Sequence, residues 1–480
     1  MAQATEPSDP ELLHVAWDLE PLVEGEGTEG VERRLQEALE RAEAFSARYA
    51  GKLETLDSGA LAEAMSELGA IHELLARAGY YAALRFSTDT AEPANGALLQ
   101  RVQEQETRVQ TKLLFFELEW AALSDERAEE LLAGEGLEFC AHHLRNVRRY
   151  REHLLSEAEE KILTEKALTG AGAWTRLFEE LTSAITVELE GEPLALDVAL
   201  SRLSLPDRGA RRATAEAVTA ALAPGLRTRA FLFNTLLADK ATDDRLRRYP
   251  HWLAARNLAN EASDESVAAL MEAVRGRYEI ARRWYRLKAK LLGVERLADY
   301  DRMAAVTEDE VSYPFAQARE VVLECYGSFS PELGALAKRF FDERHIDAPV
   351  RPAKRGGAFC AGVVPSAFPY VLLNYTSRRR DVLTLAHELG HGVHFALAAR
   401  QGIFHQHTPL TLAETASVFG ETIVFGRLLE EDSSPASRLA LLAENLEDTI
   451  ATVFRQVAMN RFESLVHTDR RENGELAVDR

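Results

Sequence analysis

The sequence has few cysteines, no long apolar run and no excess of positive charge. Its three cysteines, Cys140, Cys325 and Cys360, are far apart and odd in number, which argues against a disulfide framework and favours a reducing compartment. No apolar stretch approaches the roughly 20 residues that span a bilayer. The N-terminal residues also lack the basic and apolar regions of a signal peptide. We therefore expect a soluble, cytoplasmic protein with no membrane partner.

Acidic residues outnumber basic ones, and this imbalance limits the partners that the surface attracts. The 480 residues include 77 Asp and Glu against 56 Lys and Arg, which gives a net charge of −21. Because phosphate groups repel an acidic surface, this charge argues against nucleic acid as a partner. The length suits two or three ordinary domains, or one large helical protein divided into lobes. Nothing in the composition indicates the oligomeric state.

Helical periodicity covers most of the chain. Apolar residues recur at three- and four-residue spacing over residues 30–160 and 207–340, which predicts amphipathic helices in series. Glycine, proline and small residues over 341–375 indicate loops with one or two strands before the next helix. Two further helices are predicted at about 410–430 and 437–467.

Residues 184–204, AITVELEGEPLALDVALSRLS, differ from this helical texture. The ITVELEG segment alternates apolar and polar residues, and Gly191, Glu192 and Pro193 then interrupt it. This pattern predicts a hairpin at a boundary between lobes. The LALDVALSRLS segment is equally compatible with the start of a helix.

The segment DVLTLAHELGHGVHFALAARQG, residues 381–402, contains an H-E-x-x-H motif formed by His387, Glu388 and His391. On a helix, residues four apart lie on one face, so both imidazoles can bind one metal ion. The glutamate between them can act on a water molecule at that ion. Asp381 near the start and Gly402 just past the end are typical of helix termini, so the flanks favour a helix.

A catalytic zinc site of this type needs a third protein ligand and leaves a fourth position for water. The histidine six residues beyond the second, which one class of zinc peptidase uses, is here Leu397. His394 fails that spacing and is better interpreted as a core or supporting residue. The next predicted helix offers Glu414 and Glu421, seven apart on one face. A carboxylate on that otherwise apolar face is costly to bury without a partner such as zinc.

Four segments resemble the active-site region of the M3 peptidases, specifically oligoendopeptidase F. They are KRGGAFC, PYVLLNY, DVLTLAHELGHGVH and LAETASVFGE, in this order. The similarity extends upstream through LSEAEEKILTEKALTGAGAWTRLFEEL and ARRWYRLKAKLLGVERLADYD and covers most of residues 110–480. By this resemblance Glu414 is the third ligand of a single zinc ion, and Glu421 holds a ligand histidine in place.

The resemblance implies a zinc metalloendopeptidase that hydrolyses internal bonds of oligopeptides, with Glu388 as general base. It also implies a mainly α, two-lobed, neurolysin-like zincin fold with a small β element near the active site. The expected domains are an N-terminal helical region (1–112), an oligoendopeptidase F N-terminal-type domain (113–205) and an M3 catalytic domain (206–480).

In this family an edge strand near the zinc pairs with the substrate backbone. The resemblance places that strand at residues 370–375, although an ordinary core strand is the alternative. The expected substrate contacts are Gly357, Ala358, Phe359, Tyr370 and Asn374. Cys360, beside an apolar stretch, is interpreted as a small buried residue.

The sequence departs from the family at its C-terminal end. Family members continue into a segment with a histidine and tyrosines that donate hydrogen bonds to the oxyanion, whereas the last tyrosine here is Tyr375. We therefore expect a C-terminally incomplete catalytic domain. His405 and His407 are expected in a solvated loop. Two alternatives follow: a zinc-binding but catalytically impaired peptide-binding protein, and a related H-E-x-x-H carboxypeptidase.

Overall fold

The computed structural model describes residues 9–307 and 312–479. Numbered α1 to α19 in chain order, its helices are Gly27–Tyr49, Ser58–Thr88, Pro93–Ala122, Asp125–Leu132, Ala141–Arg148, Glu157–Ala167, Ala171–Ser183, Leu196–Ser201, Arg208–Leu222, Leu226–Leu246, Ala254–Ala259, Asp264–Arg275, Tyr278–Leu291, Phe315–Phe329, Pro331–Asp342, Arg379–Ala398, Leu410–Glu431, Pro435–Ile450 and Gln456–Asn473. The strands, β1 to β5, are Thr186–Leu189, Glu192–Ala195, Ile346–Pro349, Phe359–Ala361 and Tyr370–Tyr375. The predicted mainly α class with a small β element is confirmed.

The described residues form two compact units. The first contains residues 9–162 and 312–431, and the second contains residues 163–307 and 432–479. Within the part of the chain that the structure describes, no helix is long and apolar enough to cross a membrane.

The first unit is built on α1, α2 and α3, which pack together around a common core. The helix starts follow from local chemistry: the Asp57 carboxylate accepts a hydrogen bond from the Ala60 N–H at 2.8 Å at the start of α2. Phe45 and Trp120 are fully buried between these helices, and the Trp120 indole donates to the Leu144 carbonyl at 2.7 Å. Large aromatic side chains thus anchor the bundle where the apolar stripes meet.

A three-stranded sheet in the first unit leads into the motif helix. Its strand order is β3-β5-β4, with β3 parallel and β4 antiparallel to β5. Tyr370 and Leu372 of β5 belong to the same buried core as α1, α2 and α3. The sheet and the bundle therefore share one core, and β4 packs against α16.

In the second unit, β1 and β2 form the predicted hairpin. Glu190 and Gly191 form its two-residue turn with φ of 55° and 84°, since a tight turn of this type needs two left-handed residues. The strand ends at Ala195 and α8 begins at Leu196. The hairpin and the helix start are therefore both confirmed, whereas the expected position at a boundary between lobes is wrong, because the second unit begins at residue 163.

The helix predicted at about 437–467 is present, but it is not a regular α-helix throughout. The chain forms α18 and α19, and residues Ala451–Arg455 between them adopt a π-helical turn. Such a turn is a local rearrangement of the helix hydrogen bonds that apolar spacing does not reveal.

Candidate metal centre

The motif segment forms α16, whose apolar stripe is buried. Val382, Leu385 and Leu389 have no exposed surface, and their spacing of three and four residues places them on one face. At the start of the helix, the Asp381 carboxylate accepts a hydrogen bond from the Arg378 N–H at 3.0 Å. At its end, Gly402 follows a short 3₁₀ turn with φ of 76°. The predicted helix and both of its termini are confirmed.

Three side chains from α16 and α17 converge on one point. His387, His391 and Glu414 each present a ligand atom, and these atoms lie within 4.8 Å of one another. Glu414 Oε2 lies 3.2 Å from His387 Nε2 and 3.3 Å from His391 Nε2. The structure thus brings together the three residues that the sequence and the resemblance proposed as ligands.

This arrangement fits a tetrahedral zinc ion. Bonds of 2.0–2.2 Å from zinc to nitrogen and oxygen place neighbouring ligand atoms of a tetrahedron about 3.3 Å apart. The two separations from Glu414 Oε2 to the imidazole nitrogens, 3.2 Å and 3.3 Å, agree with that value. Two imidazoles and one carboxylate are also the donor set of catalytic zinc sites. The residues present therefore fit a single zinc ion.

Glycines allow α16 and α17 to approach closely enough for this convergence. A Cβ on Gly390 would lie 2.5 Å from the Ala416 carbonyl oxygen, and one on Gly420 would lie 2.9 Å from the Ala386 carbonyl oxygen. Tyr326 fills the adjacent space and donates a hydrogen bond to the Ala386 carbonyl at 2.8 Å. The separation of the ligand-bearing helices is thus set by backbone contact.

Glu421 supports His387 from the side opposite Glu414. Its Oε2 lies 3.2 Å from His387 Nδ1, which leaves Nε2 of that ring free to bind a metal. Burial lowers the pKa of His387, but the hydrogen bond to Glu421 and the neighbouring carboxylates outweigh it, so that this pKa is raised overall.

The two glutamates on α17 differ in exposure, and the expected ligand Glu414 is the more exposed of the two. The Glu414 side chain is 64% exposed, whereas that of Glu421 is 24% exposed. The expectation that a ligand on this face is costly to bury is therefore wrong for Glu414. It applies to Glu421, which His387 partners.

Glu388 follows the first histidine and is 6% exposed. Its Oε2 has no hydrogen-bond partner in the described part of the chain. Burial raises the pKa of Glu388 to about 7; the Glu414 charge adds to this rise and His387 opposes it. A buried carboxylate with one free oxygen beside the ligand cluster can accept a proton from a water molecule held there.

The other predicted histidines lie outside the ligand cluster. His394 is one turn beyond His391, and its ring stacks beside that of Phe395 with 6.3 Å between ring centroids. His405 is half-buried and accepts a hydrogen bond from the His143 N–H at 3.1 Å. The expectation of a solvated loop is wrong for His405. His407 is an exposed residue, but its ring packs against that of Phe395 with 5.3 Å between ring centroids.

The expectation of an edge strand at residues 370–375 is wrong. β5 is the central strand, because β3 and β4 pair with it on opposite sides. Tyr370 is 1% exposed, and its hydroxyl donates to the Asp18 carbonyl at 2.8 Å. Its side chain is therefore unavailable to a substrate, and the strand that ends the sheet beside α16 is β4.

The other expected substrate contacts lie on β4 and the loop before it. Asn374 donates to the Arg355 carbonyl at 2.9 Å and to the Gly357 carbonyl at 2.8 Å, which fixes that loop. Gly357 has φ of 79°, a conformation that favours glycine. Ala358 and Phe359 follow and are half-buried. Their contact with a substrate stays a prediction.

Two features of the site were missed in the sequence. β4 is only three residues long and follows a glycine-rich segment, so its period of two is too short to detect. The Tyr326 hydroxyl bond to α16 joins residues 60 apart in sequence, and no local pattern indicates it. Gly390 and Gly420 did carry a signal, since isolated glycines inside a helix often mark close packing.

Comparison with known proteins agrees with these observations. A model of peptidase family M3 matches residues 201–479, and a model described as oligopeptidase F matches residues 119–186. Oligopeptidase PepF of Bacillus subtilis is 25% identical over 445 residues, which cover 90% of this chain and 66% of that protein. Group B oligopeptidase PepB of Streptococcus agalactiae is 26% identical, covering 83% of this chain and 68% of that protein. The chain thus spans about two thirds of the length of these relatives.

Solved structures share the fold. Oligoendopeptidase-F from Enterococcus faecium superposes with a TM-score of 0.66 at 22% identity, over 94% of this chain and 77% of that one. PZ peptidase A gives a TM-score of 0.72 at 17% identity, over 93% of this chain and 76% of that one. Since the family model alone matches more than half of the residues, the chain belongs to peptidase family M3 and is similar to oligoendopeptidase F.

Proposed function

We propose that the protein is a zinc-dependent metalloendopeptidase that hydrolyses internal bonds of oligopeptides. The observation that carries this proposal is the convergence of His387, His391 and Glu414 beside the unpartnered oxygen of Glu388. The names of the relatives, which are oligopeptidases, support the same substrate class.

His387, His391 and Glu414 would hold the zinc ion. When bound, the ion supplies Lewis acidity that polarises a water molecule and a peptide carbonyl and lowers the pKa of the water from about 15.7 towards 7. Glu421 orients the His387 ring through Nδ1, so that Nε2 faces the ligand cluster.

Glu388 moves the proton in this mechanism. Its free Oε2 accepts a proton as the water attacks the carbonyl carbon, and the same oxygen then delivers the proton to the departing amine nitrogen. Burial of the carboxylate keeps bulk water away from this transfer and makes its protonated form easier to reach than in an exposed glutamate.

The test compares wild type with Glu388→Gln, using a quenched fluorescent peptide that reports internal cleavage. Wild-type cleavage should stop with a zinc chelator, and Glu388→Gln should bind one zinc ion while its kcat falls about 10²-fold or more. Glu430→Gln, an exposed change on α17, is the control and should behave as wild type.

Near-wild-type cleavage by Glu388→Gln would contradict the proposed role of this residue. Mass spectrometry of the products separates internal cleavage from the release of terminal residues, which a carboxypeptidase would give. Peptide binding without cleavage by the wild type would instead identify a catalytically impaired peptide-binding protein.

A further inference from the structure

A groove between α2 and α3 in the first unit has a volume of about 260 Å³ and opens to solvent. We call it the acidic groove, after its Glu106 carboxylate. Gly79, Tyr80 and Ala83 line it from α2, and Val102 and Glu106 line it from α3. Its walls are otherwise apolar or uncharged, so Glu106 supplies the charge that a ligand there would meet.

Gly79 gives the Glu106 carboxylate its place in the groove. A Cβ on Gly79 would lie 2.6 Å from Glu106 Oε1, so no larger residue fits there without moving the carboxylate. Glycine inside a long helix weakens that helix. Gly79 therefore leaves open the space that the Glu106 carboxylate occupies.

No hydrogen bond or ion pair holds the Glu106 carboxylate within the described residues, and burial raises the pKa of Glu106 to about 7. Other acidic residues nearby on the bundle do have cationic partners, for example Glu32, whose carboxylate lies 2.5 Å from the Arg101 guanidinium. A half-buried carboxylate without a cation is costly, and a cationic ligand would remove that cost.

The acidic groove lies alongside the strand that borders the metal centre. Tyr80 packs against the buried core to which β4 contributes Ala361, and Phe359 of β4 packs against the same core. β4 in turn contacts α16, the helix that carries two of the proposed ligands. One turn beyond Ala83, the Ser87 carbonyl accepts a hydrogen bond from the Arg355 N–H at 2.9 Å. The groove therefore runs along the α2 face that meets β4 and its loop.

We propose that the acidic groove is a specificity subsite that binds an ammonium group of a peptide lying along β4, with Glu106 as the counter-ion. The proposal rests on the proposed function, since it assumes that peptides bind beside the metal centre. Two groups of a peptide carry this chemistry, namely a lysine side chain and the free α-amino group.

Three peptides of one core sequence distinguish these sources: N-acetylated with lysine, N-acetylated with norleucine in its place, and the norleucine peptide with a free amino terminus. The lysine is moved along the peptide to find its best position. Binding is measured by fluorescence anisotropy in zinc-loaded Glu388→Gln protein, which holds peptides without turning them over. Cleavage is measured separately in otherwise wild-type protein.

Glu106→Gln should weaken binding of one ammonium-bearing peptide about tenfold or more, as expected for loss of a charged hydrogen bond. Binding of the acetylated norleucine peptide should stay unchanged. Glu104→Gln, an exposed change two residues away on α3, is the matched control and should alter neither. Because the pKa of Glu106 is about 7, the preference for the lysine peptide over the acetylated norleucine peptide should rise from about pH 6 to about pH 8 and should be flat in Glu106→Gln. The free-amino peptide should show a smaller rise, since an α-amino group loses its own proton at about pH 8.

Equal binding of all three peptides, or an equal loss for all three in Glu106→Gln, would overturn the subsite. Cleavage without any ammonium preference would leave the peptidase function standing and overturn the subsite alone. Binding that depends on Glu106 with no cleavage by otherwise wild-type protein would support the subsite and refute the proposed function.

Discussion

Replacing Gly390 by alanine should separate the two helices that carry the metal ligands. The new Cβ would lie 2.5 Å from the Ala416 carbonyl oxygen and 2.7 Å from the Ser417 Cα. Both are backbone atoms, so no side-chain rotation can relieve the contact, and α17 must move away from α16. Glu414, three residues before Ser417, would move with it.

Overpacking of this kind costs about 1–3 kcal/mol, and the rigid contact favours the upper end of that range. Alanine returns about 1 kcal/mol through its better helix propensity, which leaves a net destabilisation of about 2 kcal/mol. Because the Glu414 ligand is displaced, zinc affinity should fall by at least about tenfold, the lower end of the loss seen when metal ligands lose their support.

Urea unfolding of the metal-free protein measures the first effect, and competition with a chromophoric zinc chelator measures the second. Gly426→Ala is the matched control on α17, because a Cβ there meets no atom within 4 Å. It should stabilise the protein by up to about 1 kcal/mol and leave zinc affinity unchanged. If Gly390→Ala matched Gly426→Ala in both assays, helix spacing would not be what places Glu414.

Two further predictions concern carboxylates of the first unit. Glu421→Gln should weaken zinc binding by about 10–100-fold in the chelator competition, since the His387 ring loses its charged partner. The control Glu430→Gln should leave zinc affinity unchanged. If Glu421→Gln lost more zinc affinity than Glu414→Gln, Glu421 would be the ligand and Glu414 the supporting residue. Burial raises the pKa of Glu106 from 4.5 to about 7 in the folded protein, so its contribution to stability is full below about pH 4.5 and is lost as pH rises through 7. Allowing for partial exposure, the free energy of unfolding of the wild type, measured with urea, should fall by roughly 1–2 kcal/mol more than that of Glu106→Gln between pH 5 and pH 8. If the free energies of the two proteins changed in parallel with pH, the burial of this carboxylate would be contradicted.

Local patterns were enough to predict the motif helix and two of its ligands. The spacing of apolar residues and the residues at both ends are enough to predict a helix of a few turns. The spacing of His387 and His391 then places both rings on one face, whatever the helix packs against. The hairpin at residues 184–204 could likewise be predicted from its alternation of apolar and polar residues and from its turn at Gly191. Such features depend on neighbours in sequence.

Strand pairing could not be predicted in the same way. Residues 370–375 form an apolar run that is compatible with either a central or an edge strand. The choice depends on β3 and β4, and β3 pairs with β5 through residues about 25 positions apart in sequence. The exposure of Glu414 also depends on which atoms of other elements cover α17. These properties are set by tertiary packing.

Pairing separates the carboxylates that hold the fold from those that the proposed chemistry uses. Asp301 in the second unit is fully buried, and Arg208 and Arg211 lie 2.9 Å and 2.8 Å from its oxygens; these cations outweigh the effect of burial and lower its pKa to about 2. Glu388 and Glu106 are also withdrawn from water, yet neither has a cationic partner that lowers its pKa below the ordinary value. Asp301 thus shows that two arginines can stabilise a fully buried carboxylate in this fold. Under the two proposals, the unpaired Glu388 takes up the proton of the attacking water, and the unpaired Glu106 meets the ammonium group of a peptide.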